Sequence, residues 1–497
     1  MREALAGVMG VLSRELPAAT GLILAASVTF ALRGFTVDDA LITARYAAHL
    51  AAGCGYRFNI DGPVSDGVTP LPWPWMLMPF AGAGPRAALT AARAIGAAVW
   101  LLAATVLAHR LGTLAKEIGW RAWLSLLVGC TVPAVCAWSV SGMETPVATA
   151  LCIFAVLLPA RGPSAWLGTA LAGASASFRP ELLPWALVLA LGRASCGEPS
   201  STPAALHLRP RQTAAHVVVA LAPFATVAVM RLIAFGSVAP LAVRAKPSDL
   251  DHGIVYALAT VLMTGPPLAV LAPVAVRRLA HWPRVVLAAF VTHVIAVAAV
   301  GGDWMPLARL MVPVLASLAL VFAHLAAVSA TWATCARAAL CVAVQVFVAA
   351  RVGPAAATVL ENRDELMHKL SEHLRPTDVV ATLDIGWVGA SFTGKVVDLA
   401  GVTDRDIAAL PGGHTSKRLP VELLDQRYVS RLVLLLPSGP DAENAWRQCT
   451  FTRRIEVQLC RDSWVREHFE TYTTIEATPS LRYALLSRKA VSAAATR

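Results

Sequence analysis

The sequence is poor in charged residues. Only 15% of its 497 residues are Asp, Glu, Lys or Arg, and 57% are hydrophobic, whereas soluble domains carry about 25% charged residues. This excludes an ordinary soluble protein and predicts an integral membrane protein with room for a multi-span bundle and one further domain. The net charge of +11 resides in short loops between apolar segments, which is typical of cytoplasmic loops and argues against nucleic-acid binding.

Several chemical signatures are also missing. The nine cysteines form no C-x-x-C pair, and most lie alone inside apolar runs as small packing residues. The chain has no Gly-rich phosphate loop, no internal repeat and no low-complexity tract beyond alanine-rich spans. Cys449 and Cys460 in the C-terminal part could pair if that part lies outside the cytoplasm.

The apolar runs predict about eleven membrane crossings at the usual length of ~20 residues. Arg2 and Arg14 precede the first run and favour a cytoplasmic N-terminus. The runs are Pro17–Gly34, Ala87–His109, Ala122–Trp138, Thr145–Pro159, Ala165–Phe178, Leu182–Leu191, Thr213–Phe235, Gly253–Val276, Val285–Val300, Leu307–Val328 and Ala333–Arg351.

The loop charges separate by side under this topology, as the positive-inside rule expects. The predicted cytoplasmic loops are basic: His109–Arg121, Arg161–Ser164, Arg193–Gln212 and Arg277–Arg284. The predicted outer loops contain Asp38, Asp39, Asp61, Asp66, Glu144, Glu181, Asp249, Asp251 and Asp303. An odd number of crossings places the C-terminal part outside as well.

The composition changes after residue 352, which predicts a transmembrane domain over 1–352 and a soluble α/β domain over 353–497. Short strand-like runs at Val379–Asp384, Val396–Leu399 and Leu432–Leu436 alternate with expected helices at Asn362–His373 and Asp441–Gln448. This domain has no evident catalytic set of its own.

The first outer loop, 35–86, contains two adjacent carboxylates, Asp38 and Asp39, after the first apolar run. Ionisable residues next to hydrocarbon indicate function. The alternative is helix capping, because Thr36-x-x-Asp39 fits a helix N-terminus. If Asp38–Ala52 is helical, Arg45 lies along the face of Asp38, and a carboxylate beside a cation can stay ionised and act as a base.

Further polar residues interrupt the outer ends of the spans. Each has an explanation without a functional role. The carboxylates can be solvated loop residues, the cations can snorkel to the membrane interface, and Pro70–Trp75 can be an aromatic belt. Arg244 and Lys246 are cations in an outer loop, and they suit an anionic phosphate. The candidate substrate-binding residues are Arg45, Tyr46, Asn59, Thr69, Glu144, Arg179, Glu181, Arg244, Lys246, Asp303 and Arg309. Carboxylates, cations and flexible loops beside a lipid phase suit transfer from a lipid-linked phosphate donor.

The ordered set of motifs resembles type C glycosyltransferases, in particular the group that contains the terminal β-(1→2)-arabinofuranosyltransferases of actinobacterial cell walls. The likeness lies in the run from Asp38 to Tyr46, in Gly53-x-Gly55-x-x-Phe58-Asn59, and in Ser65-x-Gly67-x-Thr69. Later motifs follow in the same order: Ser141–Glu144, Arg179–Glu181, Gly236–Lys246, Gly301–Pro306, Thr382–Gly386 and Val397–Asp404. Leu41 and Ala44 stand where members of the group more often have aromatic residues.

The resemblance implies a multi-span bundle in the bacterial cytoplasmic membrane, a polyprenyl-phosphate sugar donor and an inverting mechanism. It also implies an extracytoplasmic C-terminal domain, a cell-envelope glycan or glycolipid acceptor, and a general base at Asp38 or Asp39. The sugar suggested by the nearest likeness is arabinofuranose. The aspartates could hold a divalent cation, although spacing gives no complete ligand set. The alternative function is a transporter or flippase for a lipid-linked saccharide, and a third is a membrane anchor for the C-terminal domain.

Overall fold

The computed structural model describes residues 2–196, 210–246 and 248–489, so part of the predicted loop Arg193–Gln212 and the last eight residues lie outside it. The chain divides into two compact units. The first, here called the helical unit, comprises Met1–Thr36, Ala91–Met230 and Ser248–Ala357. The second, here called the sheet unit, comprises Val37–Thr90, Arg231–Pro247 and Thr358–Arg497.

The described part of the chain is mostly helical, with five strands near its C-terminal end. In chain order the helices are α1 (Arg2–Ala31), α2 (Asp38–Ala51), α3 (Pro72–Leu77), α4 (Pro85–Ile118), α5 (Arg121–Cys130), α6 (Pro133–Ser139), α7 (Thr145–Leu157), α8 (Pro163–Phe178), α9 (Leu183–Ala194), α10 (Pro210–Phe235), α11 (Leu241–Arg244), α12 (Leu250–Met263), α13 (Pro266–Ala269), α14 (His281–Ala299), α15 (Val312–Leu315), α16 (Leu318–Val328) and α17 (Thr331–His373). The remainder is β1 (Val379–Thr382), α18 (Ile385–Ser391), β2 (Lys395–Asp398), α19 (Arg405–Ala408), α20 (Glu422–Gln426), β3 (Arg431–Leu435), α21 (Ala442–Gln448), α22 (Arg454–Arg461), α23 (Ser463–His468), β4 (Phe469–Thr478) and β5 (Leu481–Arg488).

Four helices of the described chain are long and apolar enough to cross a membrane. They cover Pro85–Leu114, Pro210–Phe235, His281–Ala299 and Thr331–His373. Helices α5 and α6, which are bent by 46° at a short break, would make a fifth if they form one span. These helices are compatible with a membrane protein, but the structure gives fewer helices of spanning length than the sequence predicted.

Local backbone chemistry explains why several predicted runs are broken. The run Gly253–Val276 ends its first helix at Met263 because Gly265 has φ of +93° and two prolines follow. The run expected from Leu307 becomes helical only at Val312, since Leu307 and Ala308 have φ of 57° and 54°. Hydropathy reports the apolar composition of a run and says little about such interruptions.

The composition change at residue 353 does not coincide with a helix end. Helix α17 runs through it for 43 residues, with Pro354 inside. The two helices predicted at Ala333–Arg351 and Asn362–His373 are therefore one helix. The division between the compact units falls within this helix, between Ala357 and Thr358.

The sheet unit contains a mixed five-stranded sheet with the order β2-β1-β3-β5-β4. Strand β1 is parallel to β2 and β3, while β5 is antiparallel to both β3 and β4. The first three strands confirm the predicted α/β character. The sequence analysis missed the hairpin of β4 and β5.

Alternating residues of the sheet enter two separate cores, as the two-residue repeat of a strand requires. Val380 and Val433 pack on one face with Leu366 and Leu370 of α17. Ala381 and Leu432 belong to the core on the other face. Cys449 and Cys460, which the sequence suggested as a pair, form a disulfide in this unit.

The predicted first outer loop lies in the same compact unit as the sheet. Residues Val37–Thr90 and Thr358–Arg497 cluster together, and α2 packs against α18. The prediction had placed this loop in a domain covering residues 1–352. The loop and the C-terminal domain therefore belong to one compact unit.

Candidate functional site

Asp38 and Asp39 occupy the first turn of α2, where carboxylates are favoured by the helix dipole. The helix ends at Ala51, one residue before the predicted end. The capping interpretation is wrong in its detail, because Val37 is the N-cap residue and makes no side-chain cap bond. Thr36 instead donates to the carbonyl oxygen of Ser141 at 2.9 Å.

The Asp38 carboxylate binds the start of α18. Its Oδ2 accepts from the amide of Gly386 at 3.0 Å, and its Oδ1 accepts from the amide of Trp387 at 2.8 Å. A Cβ atom at Gly386 would lie 2.1 Å from the carbonyl oxygen of Asp38, so the two main chains approach closely here. Burial, followed by the neighbouring carboxylate of Asp384, raises the pKa of Asp38 above its ordinary value.

Asp384 directly precedes α18 and is held by partners from two other elements. Arg453 Nη2 donates to both carboxylate oxygens at 2.8 Å, and the hydroxyl of Tyr483 donates at 2.5 Å. Burial favours the protonated acid, but Arg453 and Tyr483 outweigh it and lower the pKa of Asp384. Arg363 donates to the Tyr483 hydroxyl at 3.1 Å and lies over the Trp387 ring.

Asp39 follows Asp38 in the first turn of α2. Like Asp38, it is partly exposed, and its main-chain carbonyl accepts from the hydroxyl of Thr43 at 3.3 Å. Of the two predicted bases, Asp38 is the one described above, whose two carboxylate oxygens both accept main-chain hydrogen bonds.

Arg45 is held by hydrogen bonds to main-chain carbonyl groups, and none of these bonds goes to Asp38 or Asp39. Its Nε donates to the carbonyl of Phe58 at 2.8 Å, and its Nη2 donates to that of Gly394 at 2.9 Å. Its Nη1 donates to the carbonyl of Gly389. Arg45 is only 3% exposed, and its burial together with these hydrogen bonds favours a structural role.

The other predicted binding residues of this loop are also engaged within the chain. Tyr46 shares a hydrogen bond of 2.7 Å with Ser65. Asn59 exchanges two hydrogen bonds with the main chain of Val396, at 2.8 and 2.9 Å, as a neighbouring strand would. The carbonyl of Thr69 accepts from Arg231. A direct role in substrate binding stays a prediction for these residues.

A polar cavity of about 570 Å³ lies within the sheet unit. The loop segment 58–65 forms one wall, and Lys395, Asp404 and Arg427 contribute to the other. Arg427 binds Asp404 at 2.5 Å and Asp406 at 2.7 Å. Arg244 and Lys246 belong to the same unit, where Arg244 is exposed and Lys246 is partly buried.

The helical unit holds a second polar cluster, which contains three predicted residues. Arg179 Nη1 binds Glu144 at 2.9 Å, and Arg179 Nε lies 2.8 Å from Glu181. Arg179 is 2% exposed and Glu144 is fully buried. Arg179 Nη2 and Glu144 Oε2 have no hydrogen-bond partner in the described part of the chain.

Asp303 and Arg309 form an ion pair of 2.8 Å in the helical unit, as their spacing suggested. The strained residues Leu307 and Ala308 lie between them. Leu307 and Ala308 line an almost wholly apolar cavity of about 340 Å³, together with Tyr256 and Arg351.

Sequence reasoning missed the network around Asp384. The motif Thr382–Gly386 drew attention to this aspartate, but Arg453 and Tyr483 lie 69 and 99 residues further along. It also missed His293, whose ring nitrogens face the carbonyl oxygens of Glu181 and Leu310 at 3.1 and 2.9 Å. No group of three or more His, Cys, Asp or Glu side chains suited to a metal ion occurs among the described residues.

A family model for a domain of unknown function (DUF8728) matches residues 355–484. The matched segment runs from α17 into β5. It therefore covers Asp384, Arg453 and Tyr483 and leaves α2 outside. No curated protein and no solved structure matches the chain.

Proposed function

We propose that the protein is a membrane glycosyltransferase that moves a sugar from a polyprenyl-phosphate donor to a cell-envelope glycan or glycolipid. The observation that carries this proposal is the pair of partly exposed carboxylates in the first turn of α2. Both residues are partly exposed, and both carboxylate oxygens of Asp38 are held by main-chain amides. The proposal therefore assigns the general base to Asp39.

The reaction is a displacement at the anomeric carbon of the donor sugar. The acceptor hydroxyl oxygen forms the new glycosidic bond as the bond between the anomeric carbon and the phosphate oxygen breaks, which inverts the configuration. The hydroxyl proton passes to the Asp39 carboxylate, and polyprenyl phosphate leaves as an anion. Neither carbon nor phosphorus changes oxidation state, so the step needs no redox cofactor.

Cations of the sheet unit suit the leaving phosphate. Arg244 and Lys246 lie in the same compact unit as Asp39, and Arg244 is exposed. Guanidinium and ammonium groups stabilise the charge that develops on a phosphate leaving group. Arabinofuranose as the sugar comes from the sequence resemblance alone.

The disulfide supports the predicted location of the C-terminal domain. Cys449 and Cys460 are bonded, and structural disulfides persist in oxidising compartments outside the cytoplasm.

The proposal retains a multi-pass bundle of about eleven crossings in the bacterial cytoplasmic membrane, with short apolar helices completing crossings that no single long helix makes. An alkaline phosphatase reporter fused after Arg497 is expected to be active only if the fusion point is extracytoplasmic.

The deciding experiment measures release of polyprenyl phosphate from labelled polyprenyl-phosphate sugars by purified protein. Asp39→Asn should lower the rate by about 100-fold or more, the usual contribution of a positioned base. Glu470→Gln, which changes an exposed carboxylate of the same compact unit, is the control and should retain the wild-type rate. Full activity of Asp39→Asn would refute the base assignment, and no release from any donor would refute the transferase.

A further inference from the structure

One segment of the C-terminal domain supplies main-chain partners to two side chains of α2. The amides of Gly386 and Trp387 bind Asp38 at the start of α2. The carbonyls of Gly389 and Gly394 accept from Arg45, almost two turns further along the same helix. All of these main-chain groups lie in residues 386–394, and the two attachment points fix both the position and the direction of α2.

The loop that follows α2 is attached to the next residues of the same segment. Asn59 exchanges two hydrogen bonds with Val396, the second residue of β2. Gly67 lies so close to Thr403 that a Cβ atom there would come within 2.6 Å of its methyl group. The first loop is therefore bound at Asp38, Arg45 and Asn59 by main chain that belongs to the C-terminal domain.

The segment 386–396 is itself anchored at its first turn. Asp384 precedes it and is held by Arg453, from the residue before α22, and by Tyr483 of β5. Hydrogen bonds between ionised groups are shorter and stronger than neutral ones. The position of α2 thus depends on side chains distributed over the C-terminal domain.

We infer that the C-terminal domain is an integral part of the reaction site, in which residues 384–396 position α2 through Asp38 and Arg45 and thereby place Asp39. Asp38 and Arg45 are positioning residues in this scheme. The inference rests on the proposed function, because the effect of position is measured through sugar transfer.

Gly386→Ala tests the inference without changing any side chain of the first loop. The φ angle of Gly386 is not in the left-handed region, so an alanine at position 386 can adopt the same backbone conformation in α18. The added Cβ would lie 2.1 Å from the carbonyl oxygen of Asp38 and 2.8 Å from its Oδ1, which forces the start of α2 away. Gly413→Ala is the matched control in the same unit, since its Cβ would meet only Ser416 Oγ, at 3.5 Å.

The measurements are kcat, KM and the stoichiometry of binding for a radiolabelled farnesyl-phosphate-linked arabinofuranose. Gly386→Ala should lower kcat at least tenfold while KM and one bound donor per chain stay unchanged. A variant that merely failed to fold would bind less donor. Wild-type kcat in Gly386→Ala, or an equal loss in Gly413→Ala, would overturn the inference.

Asn59→Ala provides a second variant that introduces no clash. Loss of its two bonds to Val396 should lower kcat several-fold with KM unchanged, whereas a raised KM with unchanged kcat would show substrate contact instead and contradict the positioning role.

A stability cycle separates this inference from the proposed function. If the wild-type protein transfers no sugar, the transferase proposal fails, and the contact is then judged from thermal unfolding of Asp38→Asn, Gly386→Ala and the double variant. Coupled, non-additive shifts in Tm are expected for residues in contact. Additive shifts would overturn the attachment of α2 to the C-terminal domain.

Discussion

The guanidinium of Arg453 donates to both carboxylate oxygens of Asp384 at 2.8 Å. The same side chain lies 3.3 Å from the buried carboxylate of Glu456. Arg453 therefore pairs its positive charge with two carboxylates at once, close to the start of α18. Because it serves two carboxylates, its removal should affect stability more than the loss of an ordinary surface pair.

Arg453→Met should destabilise the sheet unit by about 3 kcal/mol, since it leaves the charge of Asp384 without its cation. The measurement is denaturant unfolding in detergent, followed by near-ultraviolet circular dichroism. Arg447→Met is the control, because Arg447 and Glu443 are both about two-thirds exposed and such pairs contribute only ~0.5 kcal/mol. Equal losses in the two variants would contradict the role of Arg453.

The parts of this site that could be predicted are the ones encoded locally. Asp38 and Asp39 are adjacent in the sequence, and the residues after them form the expected helix α2. Strands β1 and β3 are short, buried and rich in branched residues, so their pattern was recognisable. Strand β4, in contrast, is only partly buried, and Glu and Thr residues are interspersed with its apolar residues. Its pattern was therefore missed.

The partners of Asp38 could not be predicted in the same way. Gly386 and Trp387 lie 348 and 349 residues from it, and they bind through main-chain amides that every residue except proline possesses. No residue type marks such a contact. The expected pairing of Arg45 along α2 followed from helical spacing, but carbonyl groups of distant residues compete for the same guanidinium.

The stability of the sheet unit should fall as the pH rises from 5 to 8. Burial and the carboxylate of Asp384 raise the pKa of Asp38, so the folded state keeps a proton that the unfolded state has released, and folding is favoured on the acid side. The pKa of Asp384 is lowered in the folded state, so this residue makes stability rise with pH. It does so only at pH values below the ordinary carboxyl pKa. The measurement is Tm as a function of pH.

Asp38→Asn isolates this contribution because asparagine does not titrate. The variant should show a flatter dependence of Tm on pH than the wild-type protein, whatever its stability at a single pH. Asp61→Asn, at an exposed position of the same loop, should leave the slope unchanged. Identical slopes for Asp38→Asn and the wild-type protein would contradict protonation of Asp38 in the folded state.

Reduction of the disulfide should destabilise the sheet unit. Cys449 and Cys460 are separated by 11 residues, and closing a loop of this size restricts the unfolded chain by about 3 kcal/mol. The double variant Cys449→Ser/Cys460→Ser should therefore unfold at a lower temperature and lose its sensitivity to dithiothreitol. Cys54→Ser, which changes an unbonded cysteine, should respond to dithiothreitol as the wild-type protein does.

The buried cluster of the helical unit predicts a strong asymmetry between single and double substitutions. Arg179 lies between Glu144 and Glu181, so Arg179→Met leaves the buried Glu144 and the partly buried Glu181 without their cation and should cost about 3 kcal/mol. Adding Glu144→Gln to this variant removes one of the two charges and should restore part of the loss. Thermal unfolding in detergent measures both effects, and Arg278→Met, at an exposed position, is the control. A double variant that is less stable than Arg179→Met would show that the carboxylate of Glu144 is stabilised by something other than Arg179.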